Sequence, residues 1–204
     1  KMCFGVIRAS HDTRDYEQNS NMLVLWGRNL ADTHTSELRY VLRARERGCK
    51  IVYIDQRFSS TATIADQWIP VKPGSDSALA MGMINWIISH DLHDKDYLTA
   101  HSCAPLLVRD DDGQYLRGEN DCYMVWDVAS GMAVPADTEG VVPPIEGSFE
   151  ADGVAVKPSF AHLKDRAAEY TIEETARITG LDPEVIETFA REYAEAKPAG
   201  IRMG

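Results

Sequence analysis

One stretch of the sequence, residues 21–36, combines residue types that could bind an anionic group. Met22–Trp26 is almost wholly apolar, as a strand buried on both faces would be, and Gly27 ends it. The residues that follow, Arg28–Thr35, are mostly polar and short, and a helical pattern begins after them. The first turn of a helix presents unpaired N–H groups and a partial positive charge, and phosphates commonly bind there. The stretch therefore predicts a phosphate site, and a simple glycine turn is the alternative.

A second predicted strand ends in a carboxylate. A helical pattern runs from a candidate N-cap at Ser36 to a stop at Gly48, and Lys50–Asp55 follows as another buried strand. Two apolar strands joined by one helix predict a parallel pair, with Gly27 and Asp55 at the same edge of the sheet. In doubly wound sheets a carboxylate in this position commonly binds a ribose hydroxyl. The spacing from Gly27 to Asp55 is long, however, and no G-x-G-x-x-G is present, so the ordinary dinucleotide fingerprint is absent.

A third strand and turn follow in the same direction. Residues 66–70 predict a short strand, Pro73 and Gly74 a turn, and Ser75 the start of a helix that reaches His90. This helix is apolar almost all round, so we expect it to be deeply buried. The three strand ends together predict a crevice at the C-terminal edge of a parallel sheet.

Three segments in this order resemble the molybdopterin oxidoreductases of the dimethyl sulfoxide reductase family. Trp26–Thr33 resembles the family segment WGxNPAxT, Ile54–Arg57 resembles (I/V)DPR, and Ala65–Leu79 resembles ADxW(I/L)P(I/V)(R/K)PG(T/S)DxAL. Leu30 and Gln56 stand where the family usually has proline, which relaxes the turn geometry but removes no polar contact group. The resemblance is close over residues 20–100 and looser over the rest of the chain.

The resemblance implies a Rossmann-like, three-layer α/β domain with a mostly parallel sheet, within a fragment of a molybdenum-dependent oxidoreductase. It implies that residues 1–204 bind part of a bis-molybdopterin guanine dinucleotide cofactor, whose molybdenum carries the two-electron chemistry. No residue of the chain is expected to be catalytic or to ligate the metal, and the fragment alone should show no redox turnover. The implied contacts are a close turn at Gly27, pyrophosphate and pterin-side contacts at Asn29, Asp32 and Thr33, guanosine contacts at Asp55 and Arg57, and guanine-edge contacts at Gly74 and Asp76.

For the full-length enzyme, the resemblance implies an electron-transfer subunit as a partner and allows an iron–sulfur cluster outside this chain. Family members are often exported to the periplasm or cell surface, and otherwise are cytoplasmic. They act on sulfoxides, N-oxides, formate, nitrate, polysulfide or aromatic hydroxyl groups, and one branch hydrates acetylene. Residues 103–127 resemble the branch with dimethyl sulfoxide reductase A-chains and acetylene hydratase, but the sequence leaves the substrate open.

The composition limits the kinds of partner. The chain has 204 residues, of which 44% are hydrophobic and 26% charged, and its formal net charge is −11. Such an acidic chain argues against nucleic-acid binding, which requires a basic face. No apolar run approaches the length of a membrane span and no signal peptide is visible, so direct membrane insertion is not expected.

Residues that commonly ligate metals are scattered. The four cysteines form no C-x-x-C pair, so a zinc or iron–sulfur site within the chain is not predicted. Cys3 falls nearer to Trp26 than the family's molybdenum ligand usually does, so we interpret it as a buried structural cysteine. His90, His93 and His101 lack sulfur or carboxylate partners at ligand spacing, and we predict that they are surface or capping residues.

The second half of the chain changes character twice. Residues 104–157 are interpreted as a small β-rich insertion within the α/β domain. Its expected elements are a hairpin around the solvated turn Asp110–Gly113, a strand at Cys122–Asp127, an irregular stretch over 130–149 and a strand at Gly153–Lys157. Helices then return, with caps predicted at Thr171 and Asp182, and Gly200–Gly204 predicts another parallel strand.

Other interpretations remain open at this level. The sequence begins abruptly at Lys1 and stops within a predicted strand, so we expect an excised piece of a larger protein, with a small natural protein as the alternative. An NAD-type dehydrogenase domain is a second functional hypothesis, although the missing glycine fingerprint opposes it. A non-catalytic interaction module is a third, and it would bind no nucleotide and bury the region of Asn29 against a partner.

Overall fold

The computed structural model describes residues 13–204, and Cys3, interpreted above as a buried structural cysteine, lies outside them. The described chain divides into two compact units. The first consists of residues 13–86 and Ile172–Gly204, and the second is Ile87–Thr171. The stretch interpreted as an insertion, residues 104–157, falls within the second unit.

Strands and helices alternate along much of the described chain. The strands are β1 (Met22–Trp26), β2 (Lys50–Ile54), β3 (Gln67–Ile69), β4 (Leu107–Arg109), β5 (Met124–Asp127), β6 (Met132–Pro135), β7 (Phe149–Ala151), β8 (Val154–Pro158) and β9 (Ala199–Met203). The helices are α1 (Thr13–Gln18), α2 (Leu30–Thr33), α3 (Thr35–Glu46), α4 (Asp76–Ser89), α5 (Lys95–His101), α6 (Ser159–Ala167), α7 (Ile172–Thr179) and α8 (Pro183–Glu195). Short 3-10 turns occur at Ala62–Ile64 and Glu119–Asp121.

Four parallel strands form the sheet of the first unit, in the order β3-β2-β1-β9. β1 pairs with β2 in a register that matches Leu23 with Ile51 and Trp26 with Ile54, which confirms the predicted parallel pair. β9 pairs with the other side of β1, so the predicted strand near Gly204 is also confirmed. The central position of β1 follows from its composition, because a strand with neighbours on both sides and cover on both faces must be apolar throughout. None of its residues is more than 7% exposed.

The helix between β1 and β2 packs on one face of this sheet. Val41 and Ala44 of α3 are buried in a cluster with side chains of β1 and β2. The helix ends as predicted before Gly48, which has a φ of +101°. The N–H groups of Gly48 and Cys49 donate to the carbonyls of Arg45 and Ala44, which is the bond pattern of a Schellman motif.

The start of α3 differs from the sequence prediction. Its first residue is Thr35, and the residue in the N-cap position is His34, without a side-chain cap hydrogen bond. Ser36 therefore lies inside the helix and is not its cap. The segment before it already contains the helical turn α2, whose residue Leu30 is buried and only 1% exposed.

Two helices of the first unit approach each other closely. The buried residues of α4 are Ala78, Leu79, Gly82, Met83 and Trp86. The remaining apolar side chains of α4 are half-buried, so the helix is less deeply buried than its composition predicts. A Cβ on Gly82 would lie 2.7 Å from Cγ2 of Thr175 in α7, so only a residue without a side chain fits between these two helices.

A glycine ends α7, and an aspartate caps the start of α8. Gly180 follows α7 with a φ of +73°, as expected for a glycine that ends a helix. The Asp182 carboxylate accepts a hydrogen bond from the Glu184 N–H at 2.9 Å, and Pro183 occupies the first turn of α8. The cap predicted at Asp182 is confirmed, and the cap at Thr171 stays a prediction.

The second unit contains two antiparallel sheets, β4-β8-β7 and β5-β6. Trp126 and Phe149 stack there with ring centroids 4.5 Å apart. The turn Asp110–Gly113 does reverse the chain, but its second arm pairs with β4 only locally, through a bridge between Val108 and Tyr115. The stretch 130–149, predicted to be irregular, contains all of β6 and the first residue of β7. These short strands lack a local apolar period, and their partners β5 and β8 stabilise them instead.

The three histidines predicted to be surface or capping residues, His90, His93 and His101, do not share one environment. His90 and His101 are exposed, as predicted. The His93 side chain is only 7% exposed and stacks on Phe160 with ring centroids 5.1 Å apart, so the prediction of a surface or capping role is wrong for His93. Phe160 itself belongs to an apolar cluster, which explains why the imidazole packs inward.

Candidate functional site

A crevice opens at the C-terminal edge of the parallel sheet. Its volume is about 280 Å³, and its lining residues are Gly27, Ile54, Asp55, Gln56, Val71, Pro73, Gly74 and Asp76. These residues come from the ends of β1 and β2, the turn after β3 and the first turn of α4. Parallel strands end at the same edge of a sheet, so the three sequence segments meet there. The structure thus brings together four of the eight predicted site residues.

Two glycines, Gly27 and Gly74, line the crevice. Gly27 and Gly74 have φ values of +62° and +78°, a region that residues with a Cβ rarely adopt. The Gly27 N–H donates to the Ile54 carbonyl at 2.8 Å, which joins the ends of β1 and β2. A Cβ at either glycine would meet no atom within 4 Å, so both face open space. A bound group could therefore approach the backbone closely at both positions.

Asp55 stands at the end of β2 with its carboxylate already oriented. Oδ1 accepts from the Arg57 N–H at 2.9 Å, and Oδ2 accepts from the Tyr53 hydroxyl at 2.8 Å. The Asp55 carbonyl accepts from the Trp68 indole N–H at 2.9 Å. A carboxylate has about four acceptor positions, so two remain for a ligand.

Asp76, the second carboxylate that lines the crevice, is held by Trp26. The Trp26 indole N–H donates to Asp76 Oδ1 at 2.7 Å, across fifty residues of sequence. Trp26 is only 7% exposed, so this bond satisfies an indole N–H that water reaches poorly. The Asp76 residue itself is exposed, which leaves its second oxygen accessible.

Asn29, Asp32 and Thr33 form a separate group on the turn after Gly27. The Asn29 amide donates to Asp32 Oδ2 at 2.7 Å, and its Oδ1 accepts from the Thr61 hydroxyl at 2.7 Å. The Thr33 hydroxyl donates to the Asn29 carbonyl at 2.6 Å. These contacts fix the Asn29 side chain, while Asp32 and Thr33 remain exposed. None of the three lines the 280 Å³ crevice.

The backbone N–H groups in this segment are partly occupied. The Leu30 N–H donates to the Arg28 carbonyl at 2.9 Å, and the Ala31 N–H donates to the Thr61 hydroxyl oxygen at 3.0 Å. The Thr33 and His34 N–H groups bond within the α2 turn. These four N–H groups are therefore already bonded within the protein, and the phosphate site at this turn stays a prediction.

Two arginines share one carboxylate beside the crevice. Arg28 Nη2 lies 3.3 Å from Oε2 of Glu37, and Arg202 Nη2 lies 3.2 Å from its Oε1. The three side chains are at most 21% exposed. Burial acts to raise the pKa of the Glu37 carboxyl, but hydrogen bonds and positive charge from Arg202 and Arg28 outweigh burial and lower that pKa below its ordinary value. The triad joins the segment after β1, strand β9 and the first turn of α3.

Arg57 contributes its backbone to this edge. Its N–H donates to the Asp55 carboxylate, and the residue is exposed.

Across residues 13–204, no group of three or more histidine, cysteine, aspartate or glutamate side chains is arranged to hold a metal ion. No helix in the same range is long and apolar enough to cross a membrane.

Residues 12–198 match the model of the molybdopterin oxidoreductase family. The chain belongs to this family. Membership implies a molybdenum–molybdopterin cofactor, and it does not favour the NAD-type alternative. The resemblance of the three motif segments is thereby confirmed at the level of the family.

The relatives are longer proteins with different named activities. The perchlorate reductase subunit alpha of Dechloromonas aromatica is 33% identical over 243 residues, covering 98% of this chain and 26% of that protein. The dimethylsulfide dehydrogenase subunit alpha of Rhodovulum sulfidophilum is 31% identical over 194 residues, covering 86% of this chain and 21% of that protein. The solved structure of acetylene hydratase from Pelobacter acetylenicus superposes with a TM-score of 0.60 at 25% identity, covering 94% of this chain and 20% of that one. The chain thus spans about a fifth to a quarter of each.

Sequence reasoning missed three residues that hold the predicted site residues in place. Tyr53 and Trp26 bond to the two crevice carboxylates, and Thr61 bonds to Asn29. The contact of Tyr53 could have been predicted from the sequence, because residues two apart along an extended strand point to the same face and Tyr53 is two residues before Asp55. The contacts of Thr61 and Trp26 could not, since their partners lie thirty-two and fifty residues away.

Proposed function

We propose that this chain is the part of a molybdenum-dependent oxidoreductase, of the dimethyl sulfoxide reductase type, that grips one guanosine end of a bis-molybdopterin guanine dinucleotide. The observation that carries the proposal is the crevice itself. It gathers two positive-φ glycines and two exposed or half-exposed carboxylates from three motif segments at one sheet edge. A nucleoside suits such a place, because its planar base can lie against glycine backbone while carboxylates accept its N–H and O–H donors.

The size of the crevice agrees with one part of the cofactor. Pockets for whole drug-sized ligands occupy about 300–1,000 Å³. A volume of about 280 Å³ is at the lower limit, so it suits a nucleoside better than a complete dinucleotide. The diphosphate would extend from the crevice along Gly27 towards Asn29. There the amide of Asn29, fixed by Thr61, can donate a hydrogen bond to a phosphate oxygen.

Each predicted residue then has a distinct role. Asp55 and Asp76 accept hydrogen bonds from the nucleoside, and Gly27 and Gly74 allow close approach of the backbone. Asp32 is acceptor-only when ionised, so it orients the Asn29 amide and does not itself contact phosphate. Thr33 secures the same turn, and Arg57 orients Asp55 through its N–H while its guanidinium offers positive charge. When bound, the cofactor supplies the two-electron chemistry at molybdenum.

The same proposal includes the finer interpretation of the fold and of the whole enzyme. The strand order β3-β2-β1-β9, which reverses at β1, supports a Rossmann-like, three-layer domain with residues 104–157 as an insertion. An electron-transfer subunit and an iron–sulfur cluster outside this chain complete the proposed enzyme. The relatives named above are a reductase, a dehydrogenase and a hydratase, so the substrate is left open.

Cofactor content tests the proposal directly. The full-length protein should copurify with molybdenum and with twice as much guanine nucleotide, because the bis form carries two guanines per metal. Asp55→Asn should lower retention of both by about tenfold after gel filtration, since charge-assisted hydrogen bonds contribute about 1.5–3 kcal/mol each. Asp66→Asn is the matched control, because Asp66 bonds to Arg45 and the Ile51 N–H outside the crevice. Wild-type protein with molybdenum but no guanine nucleotide would refute the proposal.

A further inference from the structure

The hydroxyl of Tyr53 has no evident role in the packing of the core. Tyr53 is fully buried in a cluster of otherwise mainly aliphatic side chains, where phenylalanine would fill the same space. A buried hydroxyl is unfavourable unless it is hydrogen-bonded. Its partners are both directed towards the crevice edge. The hydroxyl donates to Asp55 Oδ2 at 2.8 Å and accepts from the Ser59 hydroxyl at 3.0 Å.

This contact is maintained over the whole physiological pH range. Burial, together with the hydrogen bond and negative charge of Asp55, raises the pKa of Tyr53 to about 12, although the Ser59 hydrogen bond acts in the opposite direction. The phenol therefore remains a neutral hydrogen-bond donor to Asp55 throughout the physiological pH range. A neutral donor forms a hydrogen bond with one carboxylate oxygen and leaves the negative charge of the carboxylate in place.

The Asp55 carboxylate is consequently fixed from two sides. Tyr53 holds Oδ2 and the Arg57 N–H holds Oδ1, so rotation about the carboxylate axis would break both bonds. The Trp68 indole fixes the Asp55 backbone through its carbonyl. A group held in one rotamer before binding loses less conformational entropy when the ligand arrives.

We propose that Tyr53 and Ser59 act as positioning residues, which fix the Asp55 carboxylate to accept hydrogen bonds from the N–H or O–H donors of a guanine nucleoside. This inference rests on the proposed function, because it concerns the same crevice. Tyr53 itself touches no ligand. Its effect reaches the nucleoside only through Asp55, so it should influence nucleoside binding and leave the diphosphate contacts near Asn29 unchanged.

Binding of GDP and inorganic pyrophosphate to the cofactor-depleted full-length protein separates these effects. By calorimetry, Tyr53→Phe should weaken GDP binding about three- to tenfold and leave pyrophosphate binding unchanged. Ser59→Ala should show the same selectivity with a smaller loss. Tyr40→Phe, which removes a hydroxyl on α3 bonded to Arg39, is the control and should alter neither ligand. Tyr53→Phe should add nothing in an Asp55→Asn background, because the two residues act as one unit.

Two GDP analogues identify which group of the nucleoside donates the hydrogen bond to Asp55. If the 2-amino group of guanine is the donor, IDP should bind wild type and Tyr53→Phe alike. If the ribose 2′-hydroxyl is the donor, 2′-deoxy-GDP should bind wild type and Tyr53→Phe alike. Tyr53→Phe protein that binds GDP like wild type, or that loses GDP and pyrophosphate equally, would overturn the positioning role while Asp55→Asn still tests the site. Wild type that binds no GDP and carries no guanine would instead overturn the proposed function.

Discussion

The indole N–H of Trp26 donates a 2.7 Å hydrogen bond to Oδ1 of Asp76, and this bond joins the last residue of β1 to the first turn of α4. The two residues belong to different motif segments, fifty positions apart. The bond therefore fixes Asp76, which lines the crevice, relative to the end of β1. It also keeps a negative charge at the N-terminus of α4, where the helix dipole stabilises it.

Removing this acceptor should destabilise the protein. Asp76→Ala leaves the buried Trp26 N–H unpaired, so we expect a loss of about 1–3 kcal/mol in the free energy of unfolding. Asp76→Asn keeps an amide oxygen as acceptor and should lose less than half of that. Glu184→Ala is the control for the dipole alone, because Glu184 occupies the first turn of α8, and it should lose about 0.5 kcal/mol. Equal losses for Asp76→Ala and Glu184→Ala in urea denaturation would mean that the indole bond contributes nothing.

The glycines of the crevice should separate stability from ligand retention. Gly27→Ala, Gly74→Ala and Gly48→Ala each force a Cβ into positive φ without a steric clash, so each should lose about 1–2 kcal/mol of stability. Only the first two place a methyl group where the cofactor would approach the backbone. Guanine nucleotide content after purification should therefore fall for Gly27→Ala and Gly74→Ala and stay at the wild-type level for Gly48→Ala. A similar fall in all three would show that retention simply follows stability.

The contact between α4 and α7 should be sensitive to a single methyl group. Gly82→Ala improves helix propensity by about 1 kcal/mol, yet its Cβ would lie 2.7 Å from Cγ2 of the fully buried Thr175. Overpacking of this kind usually destabilises by about 1–3 kcal/mol, so we expect a net loss. Thr175→Ala removes the clashing atoms, and the double variant should regain most of that loss. Chemical denaturation of the four proteins measures the coupling, and additive effects would contradict the close approach.

The Arg28–Glu37–Arg202 triad should make acid stability depend on Glu37. The arginines lower the folded-state pKa of Glu37 below its ordinary value of 4.5. A depressed pKa contributes stability above pH 4.5 that is lost as the pH falls through the folded-state value. At pH 7, Glu37→Gln should therefore be less stable by about 2 kcal/mol. The difference should shrink below pH 4.5, because protonation removes the same charge from wild type. Melting temperatures of both proteins from pH 3 to 7 test this, and a constant difference would exclude the ionised triad as its cause.

Much of the architecture follows from local sequence pattern. Met22–Trp26 and Lys50–Ile54 are apolar runs of strand length separated by one helix, so a parallel pair is the arrangement that buries both. Gly48 and Gly180 end helices because their backbone conformation is unfavourable for other residues. Asp182 caps α8 through a bond to a residue two positions away. Features of this kind depend on neighbours along the chain, so the sequence predicts them.

Where the sequence prediction was wrong, a distant partner was decisive. β6 lacks an apolar period of its own, and its pairing with β5 provides the hydrogen bonds that make it a strand. The sequence around His93 indicates a surface residue, but its side chain lies inside the second unit because the imidazole ring packs against Phe160.

The candidate site likewise combines features that the sequence predicts with contacts that depend on the tertiary structure. The sequence alone determined which glycines and carboxylates stand at strand ends, because apolar runs end where polar residues begin and parallel strands end together. The alternation of side chains along β2 also indicates that Tyr53 can reach Asp55. Only the tertiary structure decided that Trp26 bonds to Asp76 and Thr61 to Asn29. Hydrogen bonds act over about 3 Å, so such partners are fixed by strand register and helix packing and not by distance along the chain.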